Sequence, residues 1–222
     1  MKSAIKLTWK SEIWSILLII AGLVLSFYFY AHFPERAVTH WGFRGEPNGW
    51  SSRAGAAFGT MAMIPGIYLL FILLPLIDPK KERYAEFAKV FQVFKNILIT
   101  LFFVIYLISG LYNIGYPIRI EFWVPWLIGL LMIVLGNYLG KIKRNWFMGI
   151  RTPWTLSSEN VWNKTHRVGG WAFMFYGLCI IISPNLSQTL GMVVFMIGTF
   201  AIIFGTLIYS YIVYRQEQNQ KK

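Results

Sequence analysis

The sequence predicts an all-α, polytopic membrane protein with six transmembrane helices and both termini in the cytoplasm. Of its 222 residues, 56% are hydrophobic and only 14% are charged, with a mean hydropathy of +0.53. About a quarter of the residues of a soluble domain are charged. The chain also contains six apolar runs that approach or exceed the length of about 20 helical residues needed to cross a bilayer core. Its basic residues, finally, are concentrated in alternate loops.

The first apolar run, residues 13–31, follows Lys2, Lys6 and Lys10 and could be mistaken for a secretory signal. The run is too long for the apolar part of a signal peptide, and no A-x-A-like cleavage site follows it. We therefore expect a retained first helix. The remaining runs are residues 54–77, 90–112, 122–139, 168–183 and 189–214.

A polar break, SPNLSQ, separates the fifth run from the sixth. Pro184 lacks a backbone donor and Asn185 favours turns, so the break predicts two antiparallel helices rather than one long helix. Glycines recur within the second, fourth and sixth runs. Small residues let membrane helices approach closely, so we expect these glycines to pack helices of this chain against one another.

The distribution of basic residues predicts the orientation, because Lys and Arg accumulate on the cytoplasmic side of membrane proteins. With six spans and both ends inside, seventeen of the 21 Lys and Arg residues are cytoplasmic. Only four are outside, namely Arg36, Arg44, Arg53 and Arg119. In a membrane protein the net charge of +12 reflects orientation and contact with anionic lipids, so we expect no direct binding of nucleic acid.

The predicted spans contain almost no ionisable side chains, which usually mark transport pathways because a charge is costly to bury there. All nine Asp and Glu residues fall in loops or at span ends. Lys95 falls inside the third run, and we expect its long stem to carry the ammonium group to the inner interface. Because the spans contain so few ionisable groups, a small-solute transporter or channel is only the second interpretation of this sequence. The first is the one that the loops suggest.

The loop after the first helix, residues 31–55, combines turn-forming residues with large aromatic side chains. Gly and Pro residues punctuate it as turns, so we expect a compact flap. Its aromatic residues, expected on the membrane surface, are Phe33, Trp41, Phe43 and Trp50. The His and Glu residues of this loop match no established ligand spacing, so we expect no metal and no cofactor.

Two polar stretches carry long and unusual patterns. The first, FPERAVTHWGFRGEPNGWSSR, contributes Pro34, His40, Gly45, Pro47, Gly49 and Trp50. The second, GNYLGKIKRNWFMGIRTPWTLSSENVWNKTHRVGG, contributes Asn137, Asn145, Gly149, Arg151, Thr152, Pro153, Trp154, Thr155, Trp162, His166 and Arg167. The second resembles the signature of the SdpI family of bacterial membrane immunity proteins, and the first resembles a small membrane domain of unknown function that often precedes the SdpI core.

This resemblance implies both an organisation and a function. It implies a two-helix unit with an ordered outer loop at residues 1–77, and a four-helix core at residues 78–222 with a cytoplasmic signature loop at residues 140–167. Members of the family protect a producing bacterium against a secreted peptide toxin that attacks its membrane. The best-known member is also thought to hold a small DNA-binding autorepressor at the membrane. The resemblance names neither the toxin of this chain nor its oligomeric state.

The residues of the signature also predict local structure. Pro153 restricts Thr152 to an extended conformation, so the first part of the stretch is not helical throughout. Ser157 or Ser158, followed by Glu159 in the first turn, predicts a helix that runs into the fifth span. Residues 162 and 166 then share one face of that helix, because they lie four positions apart.

Two interpretations of the signature stretch remain open at this point. Its Trp and basic residues could form only an interfacial belt with lipid anchors. Alternatively, Arg151, Trp154, Trp162 and His166 form a cytoplasmic docking surface, for which rigid aromatic side chains and a guanidinium group are suited. A membrane-embedded enzyme is the third interpretation of the sequence. No recognised catalytic motif accompanies His166, so we do not expect an enzyme.

Overall fold

The computed structural model describes residues 8–220. Within this range, six helices are long and apolar enough to cross a membrane, which confirms the predicted fold class and number of spans. Four of the basic residues that contribute to the predicted charge asymmetry lie outside the described residues, namely Lys2, Lys6, Lys221 and Lys222. The cytoplasmic location of both termini stays a prediction.

The order of the elements follows the predicted spans, with two additions. The helices and strands are α1 (Trp9–His32), β1 (Arg36–Trp41), β2 (Pro47–Ser52), α2 (Met63–Ile77), α3 (Ala88–Asn113), α4 (Ile120–Leu139), α5 (Pro153–Ser157), α6 (Glu159–Ile182) and α7 (Gln188–Gln220). A π-helical turn precedes α2 at Gly55–Gly59, a 3-10 turn precedes α3 at Lys81–Phe87, and another separates α6 from α7 at Ser183–Asn185. The break between the last two spans is thus confirmed, whereas the strands and the short helix α5 were not predicted.

The described residues group into two compact units. The hairpin unit comprises residues 8–72 and 92–127, and the signature unit comprises residues 73–91 and 128–220. The family-based division at residues 77 and 78 stays a prediction.

The core of the hairpin unit joins the outer loop to the first helices. It contains Phe29, Phe33, Ala37, Ala56, Ala57, Met61, Ile64, Ile99 and Tyr106. Phe33 is 3% exposed and stacks on Phe29 at a centroid distance of 5.2 Å, so it does not lie on the membrane surface as predicted. The Tyr106 hydroxyl donates to the Ala57 carbonyl oxygen at 2.9 Å, which fixes the π-helical turn against α3.

Lys95 lies in a buried ion pair, which contradicts the expectation that its ammonium group reaches the interface. Its Nζ is 2.5 Å from Glu12 Oε2, and the Lys95 side chain is 1% exposed. The other carboxylate oxygen of Glu12 accepts from Ser11 Oγ at 2.8 Å and Gln92 Nε2 at 3.4 Å. The sequence missed this pair because α1 begins at Trp9, four residues before the predicted span, and so includes Glu12.

Polar contacts continue between α1 and α3 beyond this ion pair. Ser15 Oγ donates to Asn96 Oδ1 at 3.2 Å, and Trp14 Nε1 donates to Thr100 Oγ1 at 2.9 Å. Further along both helices, the hydroxyl groups of Ser26 and Tyr106 lie 2.9 Å apart. In an apolar medium such contacts hold two helices in one register, because a slip leaves polar groups without partners.

In the signature unit, paired glycines bring the backbones of α4 and α6 together. A Cβ atom on Gly129 would lie 2.6 Å from the Gly177 carbonyl oxygen, and one on Gly136 would lie 2.5 Å from the Gly170 carbonyl oxygen. No side chain fits at this separation, so the predicted packing role is confirmed for these residues.

The packing role does not extend to every glycine of the predicted spans. Gly198 packs against the Tyr176 ring, whereas Gly59, Gly66 and Gly205 have no heavy atom near a built Cβ. For these three glycines the prediction of helix packing within the chain is wrong.

Candidate functional site

The signature loop, residues 140–167, begins with a turn closed by the side chain of Asn145. This fully buried amide accepts hydrogen bonds from the backbone N–H groups of Phe147 at 2.8 Å and Met148 at 2.7 Å. Its Nδ2 donates to the carbonyl oxygens of Lys143 at 2.9 Å and Met148 at 3.1 Å. Asn145 therefore supplies the partners that this irregular backbone cannot find in a helix.

Asp78, which the sequence analysis did not select, holds the same turn from the end of α2. One carboxylate oxygen accepts from the Tyr84 hydroxyl at 2.9 Å and from the Trp146 N–H at 3.0 Å. The other accepts from the Lys80 N–H at 2.7 Å, and Asp78 is buried. Asp78 and Trp146 are 68 positions apart, so no local pattern links them.

Trp162 and His166 share a face of α6, as predicted, but that face points into the protein. Both side chains are 0% exposed, and their rings stack with centroids 4.0 Å apart. Trp162 Nε1 donates to the Ile142 carbonyl oxygen at 2.8 Å. Neither ring lines a surface, so the expectation of a docking surface that includes both rings is corrected to a buried role beneath the loop.

His166 is held as one neutral tautomer by its two hydrogen bonds. Its Nε2 accepts from the Ile150 N–H at 2.9 Å, so the proton resides on Nδ1, which donates to the Trp162 carbonyl oxygen at 2.8 Å. Gly149 makes this approach possible, because its φ is +105° and a Cβ there would overlap His166 Nε2. The ring thereby fixes the backbone immediately before Arg151.

The threonines of the signature cap the short helix α5. Thr152 is extended, with φ −113° and ψ 162°, as Pro153 predicts. Thr152 and Thr155 form a capping box, with Thr155 N–H donating to Thr152 Oγ1 at 3.1 Å and Thr152 N–H donating to Thr155 Oγ1 at 2.8 Å. The Thr152 hydroxyl also lies 3.0 Å from Ser210 Oγ on α7. Helix α6 then begins with Ser158 as its N-cap, which confirms the prediction.

Arg151 is the exposed member of this arrangement. One of its guanidinium nitrogens donates to the Trp146 carbonyl oxygen at 2.7 Å. Trp146 itself is 48% exposed, whereas Trp154 is half-buried against Tyr211 with centroids 5.0 Å apart. Arg151 thus extends from a backbone that is fixed on both sides.

The remaining predicted residues of the signature lie apart from these contacts. Asn137 is exposed on α4, and Arg167 is exposed on α6. Within the described residues, neither side chain has an ion pair or a side-chain hydrogen bond.

The outer loop, which we expected to be a compact flap, is an antiparallel β-hairpin. Its strands pair from Arg36 with Ser52 to Trp41 with Pro47, and bulges flank His40. Gly45 has a φ of +78° at the turn, which agrees with the predicted role of glycine there.

Side chains hold the hairpin near its turn and along the outer edge of β1. His40 Nδ1 donates to Asn48 Oδ1 at 2.5 Å near the turn. On the other side, the Asn113 side chain accepts from the Val38 N–H at 2.7 Å and donates to the Val38 carbonyl oxygen at 2.8 Å, so it closes the outer edge of β1 as a further strand would.

The predicted residues of the outer loop differ in exposure. Trp50 is 49% exposed on β2, and Pro34 and His40 are also exposed. Gly49 is half-buried, because its backbone lies against the His40 side chain, and Pro47 and Gly45 are half-buried near the turn. Within residues 8–220, no three His, Cys, Asp or Glu side chains come together as a candidate metal site.

Comparisons with known proteins agree with the resemblance seen in the sequence. Residues 141–212 match the model of the SdpI/YfhL protein family, and residues 17–64 match a domain of unknown function, DUF1648. The chain is 26% identical over 199 residues to Immunity protein SdpI of Bacillus subtilis (strain 168). The aligned region covers 89% of this chain and 93% of the relative. No solved structure matches the chain significantly. The predicted similarity to the SdpI family is confirmed, and the chain is a multi-pass protein of the bacterial plasma membrane.

Proposed function

We propose, from the SdpI/YfhL region at residues 141–212, that this protein confers immunity against a secreted peptide toxin that attacks the bacterial membrane. The observation that carries the proposal is the match to Immunity protein SdpI over 93% of that relative's length and 89% of this chain, because so long a match is not confined to one stretch. The test is to express the chain in a sensitive bacterium and to challenge it with a panel of secreted membrane-active peptides. Survival above that of the empty-vector strain supports the proposal, and killing equal to that strain by every peptide contradicts it.

The β-hairpin is the element that we expect to meet the toxin. Its two strands and its link to Asn113 make it ordered, and Phe43 and Trp50 leave large apolar surfaces exposed on it. Exposed aromatic side chains on a rigid support are suited to bind a peptide, because little conformational entropy is lost on binding.

Replacing Trp50 by Ala is therefore expected to reduce protection by about tenfold or more, the loss typical of one aromatic binding residue. The measurement is the toxin concentration that halves survival, at matched membrane abundance. Trp171→Ala is the control, because Trp171 is 70% exposed but lies within a predicted span. Equal protection by both variants would show that the hairpin does not contact the toxin.

A receptor role for a small cytoplasmic repressor is a further proposal for the signature loop. Arg151 supports it, because its guanidinium group is exposed and rests on a backbone fixed by Asn145 and His166. A guanidinium group offers a planar pair of donors to a carboxylate, whereas an ammonium group is a point charge.

Arg151→Lys is accordingly expected to be nearly as harmful to partner recruitment as Arg151→Ala. Recruitment is measured as the fraction of cytoplasmic proteins that co-purify with the membrane-embedded chain after toxin exposure. Arg215→Lys is the control, because Arg215 is an exposed arginine near the end of α7. If Arg151→Lys recruits a partner normally, Arg151 acts only through its charge, as an interfacial anchor does.

A further inference from the structure

Three basic residues of the signature unit converge on the junction between α5 and α6. Lys80 precedes the 3-10 turn Lys81–Phe87, Arg83 lies within that turn, and Arg144 lies in the signature loop. Arg83 contacts Glu159, and Arg144 Nη1 donates to the Leu156 carbonyl oxygen at 3.3 Å. We call Lys80, Arg83 and Arg144 the cationic recess, since all three side chains are half-buried.

The carboxylates near the cationic recess are already engaged. Arg83 donates to both oxygens of Glu159, at 2.8 Å and 2.6 Å, and to Glu86 at 3.1 Å. Asp78 accepts from two backbone N–H groups and from the Tyr84 hydroxyl. Arg83 and its carboxylates therefore form the wall of the recess, where the charge of Arg83 is fully compensated.

Lys80 and Arg144 are left without a carboxylate partner at ion-pair distance among the described residues. The Nε atom of Arg144 is buried and has no hydrogen-bond acceptor. Burial lowers the pKa of Lys80 from its ordinary value, and the positive charges of Arg144 and Arg83 lower it further. The carboxylates of Glu159 and Asp78 oppose this with smaller effects, so positive charge predominates around Lys80. A buried guanidinium N–H without an acceptor, near a second cation that has no ion-pair partner, is costly, so the arrangement favours an anion.

The positive charge that orients a protein in the membrane does not need to be on half-buried side chains such as Lys80 and Arg144. Lys141 and Lys164 satisfy that need with exposed side chains, and Lys141 lies over the Tyr138 ring. A cation that only touches the lipid surface extends towards water. Arg144 instead turns a guanidinium N–H inward.

We propose that the cationic recess binds a phosphate group, with Arg144 and Lys80 as the donors. The phosphate oxygens would accept from the Nε and the free Nη hydrogens of Arg144, in the two-pronged geometry that guanidinium groups favour, while the Lys80 ammonium adds a point charge. The phosphate comes from the headgroup of an anionic phospholipid or from a soluble phosphate, and the same residues serve either source. The proposal does not depend on toxin immunity, because it concerns a ligand of the resting protein.

The test compares two double variants of the whole chain in nanodiscs. Lys80→Gln/Arg144→Gln removes both donors, and Lys141→Gln/Lys164→Gln removes the same charge from exposed positions. In the lipid arm, each variant is released from discs of phosphatidylcholine and phosphatidylglycerol, and native mass spectrometry measures the phosphatidylglycerol that stays bound to the protein. In the other arm, inorganic phosphate is titrated onto discs of phosphatidylcholine alone, and the midpoint of thermal unfolding is followed.

A loss of about fivefold in occupancy for each removed donor is expected, from the usual contribution of a basic residue near an anionic surface. If retained phosphatidylglycerol falls only in the first double variant, the headgroup is the source. If stabilisation by inorganic phosphate is lost only in that variant, soluble phosphate is the source. Lys80→Gln alone tests the recess without removing the Arg144 bond to Leu156, and it is expected to show the single-donor loss. Equal binding by both double variants in both arms overturns the proposal, as does an equal loss in both.

Discussion

Replacing Lys95 by Met is expected to lower the free energy of unfolding by about 3 to 5 kcal/mol, the usual cost of removing one partner from a buried ion pair. The change leaves the Glu12 carboxylate buried without its cation, with only the neutral donors Ser11, Gln92 and Tyr68 around it in the described residues. Charged groups buried without a partner are far more costly than apolar groups of the same volume. The measurement is unfolding of the purified protein in detergent micelles by increasing fractions of a denaturing detergent.

The double variant Glu12→Leu/Lys95→Met separates loss of the pair from loss of packing. It is expected to recover most of the stability, since an apolar pair of similar volume often replaces a buried ion pair without loss. Lys89→Met, an exposed position in the first turn of α3, is the control and is expected to change stability little. If Lys95→Met is as stable as this control, the pair does not hold α1 against α3.

Gly149→Ala is expected to abolish most of the protection against toxin, and to destabilise the signature loop by about 1 to 3 kcal/mol from backbone strain alone. A non-glycine residue at φ +105° is strained, and the added Cβ would overlap His166 Nε2. The hydrogen bond from the Ile150 N–H to His166 would then be lost, and with it the backbone position that directs Arg151 outward.

Gly140→Ala is the matched control for this prediction. It lies in the same loop, and a Cβ there would meet its nearest neighbour, the Arg167 Cα, at an ordinary 3.9 Å. Survival under toxin and thermal unfolding are measured for both variants at matched membrane abundance. Full protection by Gly149→Ala would show that the position of Arg151 does not matter for immunity.

Local features of the signature were predicted from the sequence because their causes are local. Ser158 caps α6, and Thr152 is extended before Pro153, because side chains at these positions act on the backbone within three residues. The helical spacing of Trp162 and His166 likewise placed both on one face. The spacing did not show which way that face points, and the structure turns it into the protein.

The residues that sequence reasoning missed act over long separations. Asp78 holds the Trp146 N–H, and Asn113 closes the edge of β1 at Val38 from 75 positions away. Lys95 stood out as a charge inside the third apolar run, but Glu12 stood one residue outside the predicted first span, so nothing local identified it as the partner 83 positions away.

The sequence by itself determined that this is a six-span membrane protein with a capped helix entering its fifth span, because a bilayer imposes length and hydropathy on each span separately. It also identified the two family stretches, since these are linear patterns. Only the tertiary structure decided which polar side chains are buried and what they hold. Lys95 for Glu12, Trp146 for Asp78 and Ile150 for His166 are partners from other elements. Burial depends on how helices pack rather than on the order of residues within any one of them.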